Sequence, residues 1–517
     1  MKQILVIFSL FLTLAFFSCT KLKENFRSEL EATTTGNVTA AQLLITVYNN
    51  FNGPLQTNGQ FWALSQHTSD ETLGPTRGPD WDDGGVWRVL HSHQWNADHN
   101  EIRSAFQNLL QAQFNASTVL QNNPSAQEAA EARFLRAFSM FLVADGWNQV
   151  PFRENLTDFR IAPKTLSGTE AVDFIISELN AVINNLPDGP AYVANKNAAR
   201  VLMMKALLNK GAFANRQAPT FAAADMNQVI ALADQVISSN KYSLANNYFD
   251  NFAPNNDAIS TENIFTLYNK PGVRGGDVRA RWFQILHYNQ KPSGWNGFAT
   301  LSDFYDKFQA GDTRLGVNYP GQKNFSGSPT GNTVGFFIGQ QYNETGTALQ
   351  DRKGNPLTFS RDVKLKETDP NTLERTGIRI NKFPIDYITS PNGDASPSEN
   401  DYPIFRLADV YLMKAEAILR GGTATAVAPT SPAALVNAIR TKRGTTSLTT
   451  VDLNTILDER GRELYWEGWR RQDLIRFGKY LQAWQEKPAD DGPRRLLFPI
   501  PSNQLAVNPN LQQNPGY

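Results

Sequence analysis

Cysteine is almost absent: Cys19 is the only one in 517 residues. That excludes an internal disulfide framework and any zinc site built on several thiolates. Histidine is scarce, with five residues, and His91, His93 and His99 are their only cluster. No acidic or thiolate partner stands near them at a metal-ligand spacing, so surface or packing roles are expected. A charge surplus is also missing, because 49 Lys and Arg face 49 Asp and Glu. A nucleic-acid binder needs excess cations to displace counterions from phosphate, and this chain has none to spare. No apolar run reaches the ~20 residues of a membrane-spanning helix. Nor is there a phosphate-binding Gly-x4-Gly-Lys-Ser/Thr loop, a Gly-x-Ser-x-Gly elbow or a His-Glu-x-x-His helix. Apolar side chains are plentiful instead. Hydrophobic residues make up 41%, and 10 Trp and 32 Phe are enough for a large core.

The longest apolar run, Ile4 to Phe17, is broken only by Ser9 and Thr13 and follows Lys2. Its length and flanks predict the hydrophobic region of an export signal. Cys19 stands directly after Phe16-Phe17-Ser18, and the arrangement resembles a bacterial lipoprotein signal. Cleavage would leave Cys19 as an acylated N-terminus, whose buried methylenes anchor a protein stably. Residues 1–18 are thus expected to be a signal peptide and 19–35 a polar tether.

Helical patterns dominate residues 36–240. Gln127–Val143 places Phe134, Phe138, Phe141 and Leu142 at helical spacing. Ser167-Gly-Thr-Glu170 predicts a capping box ahead of the stripe Val172, Ile175, Ile176, Leu179, Val182, Ile183 and Leu186. Ala198–Ala214 and Met226–Ile237 carry two further stripes. These segments predict antiparallel helical hairpins, packed in the manner of tetratricopeptide repeats without their 34-residue consensus. Residues 241–517 are a second region with loop insertions. Gly, Asn, Pro and Ser crowd residues 242–400, where Gly335–Ile338 is a strand-like run. Helix is expected again over Ile404–Leu419, from Ser431-Pro432, and over about Asp452–Trp466. The overall expectation is a mainly α fold with a loop-rich, ligand-presenting second half.

Paired carboxylates hydrolyse glycosides, so acids near one another are candidates for catalysis. Glu459 and Glu463 share a helical face, but Arg460, Arg462 and Arg470 surround them in sequence, which predicts a structural ion network. Asp82 and Asp83 are adjacent and point apart. With Asp80 they offer oxygen ligands of the kind calcium takes, without the spacing of a calcium loop. No cofactor is expected otherwise, and no enzyme activity.

Several segments together resemble the SusD/RagB family. Glu131-Ala-Arg-Phe-Leu-Arg-Ala-Phe138 and Asp145-Gly-Trp-Asn-Gln-Val-Pro-Phe152 form one. Arg406-Leu-Ala-Asp-Val-Tyr-Leu-Met-Lys-Ala-Glu-Ala417 is another, with Asp409 in place of the usual Glu. Glu459-Arg-Gly-Arg-Glu463, running on through Glu467-Gly468, Arg470, Asp473-Leu474 and Arg476, is a third. Phe498-Pro-Ile-Pro501 and Gln513-Asn-Pro-Gly-Tyr517 close the chain. The resemblance implies a surface lipoprotein of the bacterial outer membrane, facing outward and non-catalytic. Such proteins capture nutrients, usually glycans, and pass them to a SusC-like TonB-dependent transporter against which the helical side docks. Peptide or glycopeptide cargo and, at the margin, glycoside hydrolysis remain alternatives.

The resemblance also implies a shallow, loop-built ligand site. Sugars stack on Trp or Tyr rings and bond their hydroxyls to Asp, Asn and Arg. Two segments have that composition. The first is the Gly/Pro-rich loop Asp70–Asp83, with Asp70, Arg77 and Trp81; an Asp70…Arg77 pairing resembles the polar ligand region of starch-binding relatives. The second is Arg279–Asn296, with Trp282, Tyr288, Trp295 and Asn296. A Trp flanked by glycines in a polar loop, as Trp295 is, gains little from core burial. Trp466 and Trp469, inside the helical signature, are expected in the core.

Overall fold

In a computed structural model of the chain, the described residues are 38–517, apart from 79, 154, 155 and 157. Cys19, the expected signal peptide and the tether lie outside them. No helix among the described residues is long and apolar enough to cross a membrane.

Helix α1 (Ala40–Asn49) opens on a capping box: Thr39 accepts from the Gln42 backbone, and the Gln42 side chain accepts from that of Thr39. Helix α2 (Asn100–Leu120) lies along α1 and along α3 (Ala126–Trp147). Ser125 and Glu128 form a second capping box at the start of α3. From Ala130 to Trp147 nearly every side chain of α3 is buried, including the charged Glu131, Arg136 and Asp145, so the helix is enclosed by neighbours on every side. Helix α4 (Gly168–Val182) packs on α3, α5 (Lys196–Ala214) on α4, and α6 (Ala223–Ser238) on α5. Each helix buries its stripe against the next, so the helices form the row of hairpins expected.

The capping box expected at α4 does not form. Ser167 makes no side-chain cap. Gly168 opens the helix with a φ of +52°, and its N–H donates instead to Asn148 Oδ1 at 3.1 Å.

Residues 239–406 leave the row and return, after which α7 (Leu407–Leu419) packs directly on α6. The expected helix Ile404–Leu419 is shorter at its start. Tyr402–Arg406 is a buried strand paired antiparallel with Asn263–Leu267, because the sheet satisfies backbone groups that a helix would otherwise pair internally. Helices α8 (Pro432–Lys442) and α9 (Leu453–Leu464) pack on α7 and carry side-chain N-caps from Ser431 and Asp452. Helix α10 (Arg470–Arg476) follows. The excursion holds small sheets, including Gly316–Val317, Val334–Phe337 and Arg379–Asn381 in one three-stranded sheet.

A buried ion network joins the row to the excursion. Glu463 on α9 accepts from Arg314, Arg406 and Arg443 at 3.0, 3.0 and 2.9 Å. Glu459, one turn earlier, pairs with Arg314, Arg440 and Arg462. Burial alone would raise both carboxyls, but the surrounding guanidinium groups hold them well below the ordinary value. The two acids are therefore structural anions, as expected, but of the arginines near them in sequence only Arg462 contacts them, while Arg460 serves Asp409 and Asp473 and Arg470 serves Asp70. Trp466 and Trp469 are buried as well.

Candidate functional site: a loop platform around Trp295

The two loop segments singled out in sequence meet in space. Leu73 and Ala299 exchange backbone hydrogen bonds of 2.8 and 2.9 Å. The Arg77 guanidinium crosses between them. It donates to the carbonyls of Gly297 (3.3 Å from Nε) and Leu373 (2.6 Å from Nη1), and to Thr376 Oγ1 (2.8 Å). Tyr288 closes the contact by donating its hydroxyl to Asp80 Oδ2 at 2.8 Å.

Trp295 is the exposed centre of this region, with 49% of its surface open. Its ring lies on Phe283, at 5.8 Å between centroids and 29° between planes. Its backbone N–H donates to the Phe283 carbonyl at 2.7 Å, which fixes the base of the indole. Trp81, from the first loop, is half-buried. Its ring meets Phe298 edge-on at 5.8 Å and closes so tightly on Gly297 that a Cβ there would come within 2.9 Å of it. Glycine at 297 is thus required by close approach.

A polar cluster forms around Tyr288 on the same two loops. Arg352 lies over the Tyr288 ring at 4.1 Å and donates to Asp80 Oδ1 at 2.6 Å and Glu374 Oε1 at 2.8 Å. His287 Nε2 contacts the other Glu374 oxygen at 2.9 Å. Burial lowers His287 to about 4, so the imidazole is neutral at neutral pH. Burial works to raise Glu374, but hydrogen bonds from Arg352 and His287 hold it below its usual value. Burial, then the bond to Asp80, push the Tyr288 phenol upward, so it stays a donor.

Other residues picked from sequence sit beneath this surface. Trp282 is 1% exposed and donates Nε1 to the Gly393 carbonyl at 3.1 Å. It shares the short helix Ala280–Phe283 with Phe283, and consecutive helical residues point ~100° apart, so one ring turns in while the next turns out. Asn296 is buried in the left-handed region (φ +53°), where its Oδ1 accepts from Arg379 at 3.0 Å. Arg77 is fully buried, and burial lowers it to about 10. Asp70 does not pair with Arg77. Its carboxylate receives a two-pronged bond from Arg470 (2.7 and 2.8 Å). Asp70, Arg77, Trp282 and Asn296 therefore build the floor, and Trp81, Tyr288 and Trp295 reach the surface. Phe283, Arg352 and Glu374 were not singled out. Arg352 and Glu374 come from a distant loop with no recognisable motif.

The acids weighed as calcium ligands diverge. Asp80 serves Tyr288 and Arg352, Asp82 serves Arg88 at 2.9 Å, and Asp83 accepts from Trp87 Nε1 at 2.8 Å. His91 and His93 are buried against backbone carbonyls, and His93 also contacts Asp490 at 2.8 Å. The helical signature reaches this site only from below: Arg470 grips Asp70, and the Trp466 N–H donates to Glu71 at 3.1 Å.

The SusD family model matches residues 230–492. Among curated relatives, the starch-binding protein SusD of Bacteroides thetaiotaomicron is 26% identical over 430 residues, covering 76% of this chain and 73% of that protein. A SusD-like protein of Formosa agariphila is 26% identical over 464 residues, 80% of each. Among solved structures, a laminarin-binding SusD-like protein superposes with a TM-score of 0.68 at 22% identity, covering 94% of this chain and all of that one. Surface glycan-binding protein A of Bacteroides thetaiotaomicron, in complex with laminarihexaose, gives 0.66 at 18% identity, covering 92% and 98%. With the model spanning half the sequence and the mainly helical fold shared throughout, the chain belongs to the SusD family.

Proposed function

We propose that this protein is a non-catalytic, lipid-anchored receptor of the outer-membrane surface that captures oligosaccharides and passes them to a SusC-like TonB-dependent transporter. The observation that carries the reading is the half-open Trp295 ring laid on Phe283, on a loop that also contacts Trp81 through Gly297 and Asp80 through Tyr288. An indole face takes the C–H face of a pyranose, and the polar cluster around Tyr288 offers donors and acceptors for hydroxyls. The floor is already hydrogen-bonded, so little ordering is required on binding. Two relatives support the cargo class, one described as binding starch and one solved with laminarihexaose. Catalysis is not part of the proposal, because Glu459 and Glu463 are held as anions by buried arginines.

The test is native electrophoresis in gels containing starch, laminarin or other polysaccharides, with product analysis of the same mixtures. At least one polysaccharide retards the protein, and no shortened product forms. Free migration in every gel, or release of oligosaccharide, contradicts the proposal.

A further inference from the structure

A cavity of about 310 Å³ opens where Asp70 and the segment 303–307 meet α9, α10 and the segment after α10. At ~30 Å³ per water it holds about ten waters, which suits a small ligand. Its charged lining sorts into three pairs. Asp70 and Arg470 are joined at 2.7 Å, and Asp458 and Lys307 at 3.0 Å. The third pair is split. Asp303 and Lys479 line the same cavity, yet neither has an ion-pair partner among the described residues. Asp303 accepts only the Gln485 backbone N–H, at 3.1 Å. The remaining wall is apolar, from Leu457, Leu474 and Trp484. The Trp484 indole is fixed by the Lys487 ammonium, 4.1 Å from the ring centroid, and its N–H has no acceptor.

From this split pair we infer that the cavity binds a small zwitterion of the amino-acid or dipeptide class. The ligand's ammonium sits on Asp303, its carboxylate on Lys479, and its apolar side chain against Leu457, Leu474 and Trp484. A neutral sugar would bring no charge to either Asp303 or Lys479, both of which water otherwise solvates. A simple anion or cation would answer only one of them. A zwitterion completes both at once, and bonds to charged groups are the stronger class. The cavity shares only Asp70 with the platform, a residue already committed to Arg470, and neither Asp303 nor Lys479 belongs to the platform, so the two sites are separable.

The test is titration calorimetry on the full protein with glycyl-leucine, its N-acetylated and C-amidated form, and glucose. Glycyl-leucine binds, and blocking its termini abolishes binding. Asp303→Asn and Lys479→Met each weaken it by about tenfold or more. Both residues are at least partly exposed, and Asn keeps an oxygen for the Gln485 N–H, so both variants melt with the parent. Their retardation in polysaccharide gels is unchanged, which separates this site from the glycan platform. The inference is overturned by the absence of heat from glycyl-leucine at millimolar concentration. Equal binding of the blocked dipeptide, equal binding in both variants, or binding of glucose in its place also overturns it.

Discussion

Glu463→Gln tests whether the buried charges hold the fold together. The side chain is fully enclosed and accepts four hydrogen bonds from three arginines, at 2.9–3.1 Å. Glutamine keeps the volume and one acceptor but removes the charge. Arg314, Arg406 and Arg443 then face one another with fewer anions in a site that water does not reach. Breaking a buried pair by removing one partner costs roughly 3–5 kcal/mol, a large share of the 5–15 kcal/mol typical of folded proteins. Unfolding entropy near ~2.1 cal/mol/K per residue, over residues 38–517, comes to about 1 kcal/mol per degree. The melting temperature at pH 7 should therefore fall by about 3–5 °C in calorimetry. The acid dependence has a definite sign. Arginine neighbours hold the Glu463 carboxyl below its unfolded value of 4.5, so its contribution is complete above about pH 4.5 and fades as pH falls further. The gap between parent and variant should narrow below that point. A variant melting within 1 °C of the parent at pH 7 would refute the reasoning.

Glu71 has the opposite linkage. Burial raises its carboxyl to about 8, so the native state keeps a proton that the unfolded chain has lost, and stability falls as pH rises from about 4.5 to 8. Glu71→Gln should gain roughly 3–5 kcal/mol over the parent between pH 5 and pH 9; parallel melting curves across that range would count against this. Arg77→Met strips donors from the carbonyls of Gly297 and Leu373, and should cost roughly 2–4 kcal/mol in urea unfolding and weaken polysaccharide retardation. A variant matching the parent in both assays would show that Arg77 does not tie the loops together. Cys19→Ser should move the protein from membrane to soluble fractions in the producing cell, and retention with the membranes would contradict the lipid anchor.

The helical row could be read from sequence because each stripe recurs at three and four residues, as in Val172, Ile175, Ile176 and Leu179. The strand Tyr402–Arg406 escaped because a short apolar run beside a helix reads either way, and its partner Asn263–Leu267 is far off in sequence. At the platform, composition pointed to the right loops. It did not tell which side of a turn each residue faces, so Trp282, Arg77 and Asn296 were chosen with Trp295 although they are buried. Arg352 left no trace in sequence, because its place over Tyr288 depends on a contact with a loop some sixty residues away. Sequence proximity favours Arg77 as the partner of Asp70, whereas folding brings Arg470 to it.

Titration of maltoheptaose and laminarihexaose into the parent and Trp295→Ala bears most directly on the platform. The open indole face is worth roughly 0.5–1.5 kcal/mol of stacking, or about two- to thirteenfold in affinity. The account predicts that at least one sugar binds the parent and that Trp295→Ala weakens it by that factor while melting normally. Equal affinity of both proteins for a bound sugar would contradict it.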